Sequence, residues 1–265
     1  MNFKYIFGAI LSIPFLPILY YQARQIRASV PTLPEAKGHE GQSIVHIKNP
    51  KSLQLVTIGE STIAGVGVDT HEEGFTGILA EELASLFQHN VSWKVYAQSG
   101  FTALSVQNEI VPYIRDERID IFAIGLGAND AFTLNSPKKW SRDIRNLILN
   151  LKLKYPESII VFCNMPPIKE FPALTSLMKL TIGNLVEMLG DELKRVVDDY
   201  ENCFYYGEQI TLEKWLKKFN IKGDKSDFFS DGVHPSKLTY QIWGMDIANC
   251  MFNEKGIREF VDQLS

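Results

Sequence analysis

Cysteine is scarce in this 265-residue chain, which has only Cys163, Cys203 and Cys250. None lies in a CxxC or Cys/His cluster, so the sequence holds neither a disulfide framework nor a zinc-site pattern. Cys163 sits in an apolar run and reads as a small core residue. An excess of basic charge is also missing. Against 31 Asp and Glu there are 27 Lys and Arg, a net charge of −4, which leaves no basic face for nucleic acid. There is no internal repeat and no low-complexity block. What remains is a chain with 45% hydrophobic residues, long enough to bury the core of one α/β domain plus an appendage.

One long apolar run stands apart. Residues 5 to 23 carry no charged side chain, a stretch that as a helix would reach ~28 Å and span a bilayer core. Pro14 and Pro17 interrupt it without excluding a membrane segment. Tyr5, Tyr20 and Tyr21 mark its ends, where aromatic rings favour the interface. Lys4 could serve as the short basic region of a secretory signal, but no small-x-small cleavage site follows and no cysteine offers a lipid attachment. Residues 1–28 are therefore expected to be an uncleaved anchor rather than a signal segment, placing the protein in a bacterial inner membrane. Arg24 and Arg27 follow the run, while only Lys4 and the terminal amine precede it; counted in Lys and Arg residues, this leans the following domain towards the cytosol. Residues 29–50, punctuated by Pro31, Pro34, Gly38 and Gly41, read as a linker or an extended arm that reaches the domain, and residues 51–265 as the domain.

From Leu53 onward, short apolar runs alternate with helical periods. Strands are expected at 53–58, 91–97, 119–125, 158–162 and 203–206. Helices are expected at 76–88, 103–114, from Ser136-Pro137 onward, at 174–198, and after Pro235. Strands that are apolar throughout, separated by helices, indicate a parallel sheet covered on both faces. Ligands then bind beyond the C-terminal ends of the strands. Ser61 follows the first strand, Gly100 the second and Asn129 the third, so one edge should gather all three.

Four short signals carry the chemistry. Gly59-Glu60-Ser61 through Gly65 puts a serine on a tight strand-to-helix turn. Ser99-Gly100 and Gly127-Ala128-Asn129-Asp130 offer a backbone N–H at Gly100 and the amide of Asn129 for an oxyanion. Asp231-Gly232-Val233-His234 offers a base with a carboxylate three residues away to fix its tautomer. Taken singly, Ser61 could merely cap a helix, and Gly100 and Asn129 could merely form turns. Together they supply the parts for acyl transfer by an activated serine. Asp130 is expected to order its loop.

In this order the four signals resemble the sequence blocks of the SGNH, or GDSL-like, hydrolase family, over residues 53 to 253. The resemblance implies a three-layer α/β/α sandwich with a flavodoxin-like parallel sheet, here preceded by an N-terminal apolar helix. It implies Ser61 as nucleophile, His234 as base and Asp231 as its partner, with the N–H groups of Ser61 and Gly100 and the side chain of Asn129 as the oxyanion hole. It implies no metal and no cofactor. Glu60 departs from the family's usual aspartate, a longer side chain beside the nucleophile that could shift it slightly.

The apolar, proline-rich stretch from Met165 to Met178 borders the same edge and reads either as an acyl-binding wall or as core packing. Phe101, Phe132, Phe171 and Phe228 are candidate lining residues, with Phe229 beside them, and any one of them could equally be core. With the anchor, these features point to a lipid or small-molecule ester, such as a lysophospholipid. The alternatives are an O-acetyl deacetylase of envelope sugars and a non-catalytic binding protein on the same fold.

Overall fold

Five of the apolar runs lie side by side in a parallel sheet, in a computed structural model that describes residues 3–221 and 223–264. Met1 and Asn2 of the expected anchor, and Lys222 and Ser265 of the expected domain, lie outside the described residues. In chain order the elements are α1 (Phe3–Ser12), α2 (Leu16–Ser29), β1 (Glu40–Ser43), β2 (Ser52–Gly59), α3 (Phe75–Phe87), β3 (Asn90–Ala97) and α4 (Ala103–Glu109). There follow β4 (Ile121–Gly125), α5 (Ala128–Phe132), α6 (Pro137–Lys154), β5 (Ile159–Phe162) and α7 (Ser176–Val197). The chain ends in β6 (Cys203–Tyr205), α8 (Leu212–Lys218), α9 (Lys237–Asn253) and α10 (Lys255–Gln263).

The strand order is β1-β3-β2-β4-β5-β6. Its parallel part, β3-β2-β4-β5-β6, has the flavodoxin order that the family resemblance implies. Period-two alternation divides the strands between two cores. Val56, Ile58, Phe122, Ile124, Ile160 and Phe162 point to α4, α6 and α7. Leu53, Leu55, Ile121, Ala123, Ile159 and Val161 point to α3, α8, α9 and α10. Trp140 of α6 is fully buried, and its indole N–H donates to the Leu189 carbonyl of α7 at 3.0 Å. A side chain of this size in a core is worth about 3–5 kcal/mol.

Residues 29–50 take the form of an arm that reaches the domain. Their central part is stitched to the domain as an added edge. Ala36 is buried and donates to the Ala64 carbonyl, and Lys37 donates to that of Asp69. β1 then pairs antiparallel with β3, with Gly41 opposite Trp93. A strand of sequence Glu-Gly-Gln-Ser has no apolar pattern, so periodicity could not reveal it.

The apolar run forms one helical stretch, with a 3-10 turn at Ile13–Phe15 where Pro14 interrupts the ladder. By length and composition its span Tyr5–Ser29 can cross a membrane, with a mean hydropathy of 1.6. It touches the domain along one seam beside α7. Tyr5, Leu19 and Ile26 pack on the core, and Gln22 accepts a hydrogen bond from Thr175 at 2.8 Å. The large side chains Phe7, Ile10, Leu11, Ile13 and Ile18 face outward, 50–66% exposed.

His71 is 1% exposed with neither ring nitrogen hydrogen-bonded. Burial, aided by neighbouring His39, lowers its pKa to about 4. An unfolded His71 takes up a proton as pH falls through 6.5, whereas the folded one resists until near 4. The stability it contributes is complete above pH 6.5 and is lost as pH falls towards 4, by roughly 3 kcal/mol. Urea unfolding between pH 7.5 and 4.5 should therefore show a steeper acid loss in the wild type than in His71→Gln. Parallel curves would refute this.

Candidate active site

The register of the sheet sets the site. Gly59 at the end of β2 lies opposite Ala97 of β3 and Gly125 of β4, so the three strands end level. Ser61, Gly100 and Asn129 follow those ends within a few residues, in adjacent loops. The Asp231–His234 loop closes in from the start of α9. A side chain at Gly67, in the turn that holds Ser61, would collide with the Pro235 carbonyl.

Asp231 is fully shielded from solvent, whereas the His234 side chain is partly exposed. The His234 Nδ1 lies 2.7 Å from Asp231 Oδ2, and Asp231 Oδ1 accepts the backbone N–H groups of Val233 and His234. Burial alone would raise the Asp231 carboxyl. The His234 ring and the two N–H bonds outweigh it and hold the group below its ordinary pKa. An anion on Nδ1 fixes the tautomer and leaves Nε2 as the acceptor. Nε2 forms no hydrogen bond within the described chain, and neither does Ser61 Oγ. The expected nucleophile and the expected base are thus both uncommitted.

Two of the three expected oxyanion donors are likewise available. No group in the described chain accepts the N–H of Ser61 or of Gly100. Gly100 has a φ of +84° with no atom within 4 Å of where a Cβ would stand. It occupies the third position of a turn closed by the Phe101 N–H on the Gln98 carbonyl, and a positive φ there is what a type II turn requires.

Asn129 differs. Its amide nitrogen donates to Glu60 Oε2 at 2.8 Å and to the Phe101 carbonyl at 3.1 Å, so both of its N–H bonds are engaged. To reach an oxyanion it must release Phe101.

Glu60 is 1% exposed, and its carboxylate also accepts the backbone N–H of Ala128 and of Asn129, each at 2.9 Å. The longer side chain in the aspartate position thus caps the first turn of α5 and holds Asn129 by two groups. Burial pushes its pKa up to about 7, opposed by these N–H bonds. Asp130 is fully buried and bridges two loops as expected, accepting from Ala103 N and from Asn135 Nδ2.

The aromatic candidates divide. Phe132 is 38% exposed, as are Leu104 and Leu134 to a similar or greater degree, and Phe101 is half-buried against the α7-side core. Phe228 is fully buried under α9 and belongs to the core, which removes it from the lining. Phe171 is 5% exposed and stacks edge-on to Phe229 at 5.5 Å, and Ile168 and Leu174 beside it are buried too. Of the stretch from Met165 to Met178, Ile168, Phe171, Leu174 and Met178 are buried in the core, and Pro166, Pro167 and Phe171 also line a cavity. This cavity, of about 50 Å³, lies between the two halves of the site, lined by Glu60, Thr62, Phe171, Val233, Pro235 and Trp243 among others. Among the described residues, no group of three or more His, Cys, Asp or Glu side chains could hold a metal ion.

By its fold and by the loops gathered at one end of the sheet, the chain falls in the class of carboxylic ester hydrolases. It belongs to the GDSL-like lipase/acylhydrolase family, whose family model matches residues 57–242. Among solved structures it is similar to a candidate GDSL-like lipase from Parabacteroides merdae, at 17% identity and a TM-score of 0.58, covering 82% of this chain and 98% of that one. It is also similar to a family two carbohydrate esterase from Clostridium thermocellum, solved with cellohexaose (16%, TM-score 0.54, 80% and 67% covered). A lipase/acylhydrolase from Enterococcus faecalis is similar too (18%, TM-score 0.53, 76% and 95% covered). At these identities the likeness is one of fold. No curated protein sequence matches the chain.

Proposed function

We propose that the chain is a serine hydrolase that cleaves carboxylic esters through an acyl-enzyme. The observation that carries this reading is His234 Nδ1 held at 2.7 Å by a buried Asp231, with the far side of the ring uncommitted. Ser61 attacks the ester carbonyl and His234 takes its proton, later returning it to the leaving alcohol. The N–H groups of Ser61 and Gly100 receive the oxyanion, joined by Asn129 once it leaves the Phe101 carbonyl. Water then releases the acid by the same steps in reverse order.

The favoured substrate is a lipid-like acyl ester at a membrane, such as a lysophospholipid. The apolar span Tyr5–Ser29 supports it, as do the exposed Leu104, Phe132 and Leu134, which follow Gly100 and Asn129 within five residues in the chain and could carry an acyl chain across the surface. A second reading, removal of O-acetyl groups from envelope sugars, draws support from the small cavity of about 50 Å³ that Thr62 and Val233, the neighbours of Ser61 and His234, help to line, a size that favours a small acyl group. Hydrolysis of p-nitrophenyl esters from acetyl to palmitoyl by the full chain in detergent separates the two. Turnover that climbs with chain length is expected. A maximum at acetyl would shift the assignment to deacetylation, and no turnover with any ester, together with no fluorophosphonate adduct on Ser61, would remove both.

A further inference from the structure

The segment between the apolar helix and β1 lies outside the residues that match the family, yet it reaches the site. Glu35 Oε1 accepts the backbone N–H of Ser99 at 2.7 Å and the side-chain amide of Gln98 at 3.2 Å. Ser99 is the second residue of the turn whose third residue is Gly100. The next residues bind the nucleophile's own turn. Ala36 N donates to the Ala64 carbonyl at 2.9 Å, Lys37 N to that of Asp69 at 3.0 Å, and the His71 N–H returns to the Lys37 carbonyl at 2.9 Å. The fit is close. Gly65 has a φ of +72°, and a Cβ there would lie 2.5 Å from the Ala36 side chain.

From these contacts we infer that Glu35 is a positioning residue for the oxyanion loop. This rests on the reading of Gly100 N–H as an oxyanion donor. In a type II turn the orientation of the third residue's N–H depends on the peptide planes before it. A carboxylate fixed on the Ser99 N–H holds the first of those planes, so Gly100 N–H stays aimed without reorganising as charge develops. Ala36 and Lys37, tied to the Ser61 turn, keep Glu35 in constant relation to the nucleophile. The arm therefore braces two loops that must meet on one carbonyl carbon. Its other end is Ser29, the last residue of the apolar helix. The site's geometry is thereby joined to the segment that can enter a membrane.

The test compares Glu35→Ala and Glu35→Gln in the full chain in detergent, with p-nitrophenyl acetate as substrate. Glutamine keeps an oxygen that can accept the Ser99 N–H. Removing an oxyanion donor outright costs about 10²–10³ in kcat, so loosening one should cost about tenfold. Glu35→Ala is expected to lose about tenfold in kcat with KM within a factor of about two, and Glu35→Gln to recover most of that loss. Amide exchange at Ser99 should quicken in the alanine variant only, with melting temperatures of all three proteins close together. Unchanged kcat in Glu35→Ala would overturn the proposal. So would equal losses in both variants accompanied by a lowered melting temperature, which mark a merely structural role. The hydrolase reading fails separately: wild-type turnover that persists in Ser61→Ala would remove it, and this inference with it, whatever Glu35 does.

Discussion

Replacing Ser61 by alanine should lower kcat/KM for p-nitrophenyl esters by at least about 10⁴-fold, the scale on which serine hydrolases lose activity without their nucleophile. The loss should be confined to chemistry. Ser61 Oγ makes no hydrogen bond within the described chain, so the hydroxyl can be removed without leaving a partner unsatisfied. The melting temperature should therefore stay within about 2 °C of the wild type, since substitutions that disturb no buried contact change stability by under about 0.5 kcal/mol. Alanine leaves the backbone N–H of residue 61 in place, so a small residual rate from the oxyanion site is expected. Activity within tenfold of the wild type would exclude Ser61 as the nucleophile.

Asp231→Asn should have the next largest effect, a fall in kcat of about 10³–10⁴-fold. The asparagine carbonyl can still accept the N–H groups of Val233 and His234, so the loop should keep its shape. What changes is the group facing His234 Nδ1. An amide N–H there cannot accept from Nδ1–H, and the imidazole turns to the tautomer with its proton on Nε2, where Ser61 needs an acceptor. The anion that would stabilise the imidazolium is lost in the same change. Nitrogen NMR of the His234 ring should show the tautomer exchanged between wild type and variant. A variant with the wild-type tautomer and full activity would show that Asp231 does not orient the base.

How much of this was written in the sequence differs from element to element. The five apolar runs were legible as strands because a parallel sheet buried on both faces needs continuous apolar side chains, and the observed strands agree with the expected spans to within about two residues. Helix α6 was legible from its cap: Ser136 accepts the Lys139 N–H, and Pro137 occupies the first position. The expected helix at 103–114 was shorter, because Pro112 ends the regular ladder and leaves a 3-10 turn. β1 was invisible, since an edge strand needs only backbone hydrogen bonds to β3. Phe228 was misread for a related reason. Proximity in sequence to Asp231 says nothing about which side of the chain a ring faces, and packing under α9 turned it inward.

The sequence by itself determined the kinds of chemical group and their order along the chain: a serine on a glycine turn, a glycine and an asparagine after successive strands, and an Asp-x-x-His before the last long helix. It also determined the five parallel strands, because a hydrophobic pattern is a local property that each segment carries alone. The tertiary structure decided how those groups are engaged. Glu60 reaches Asn129 across 69 positions and Glu35 reaches Ser99 across 64, and both depend on where the folded sheet places its loop ends. Hydrogen bonds of that span leave no period or spacing in the sequence, since their partners become neighbours only when the core has closed.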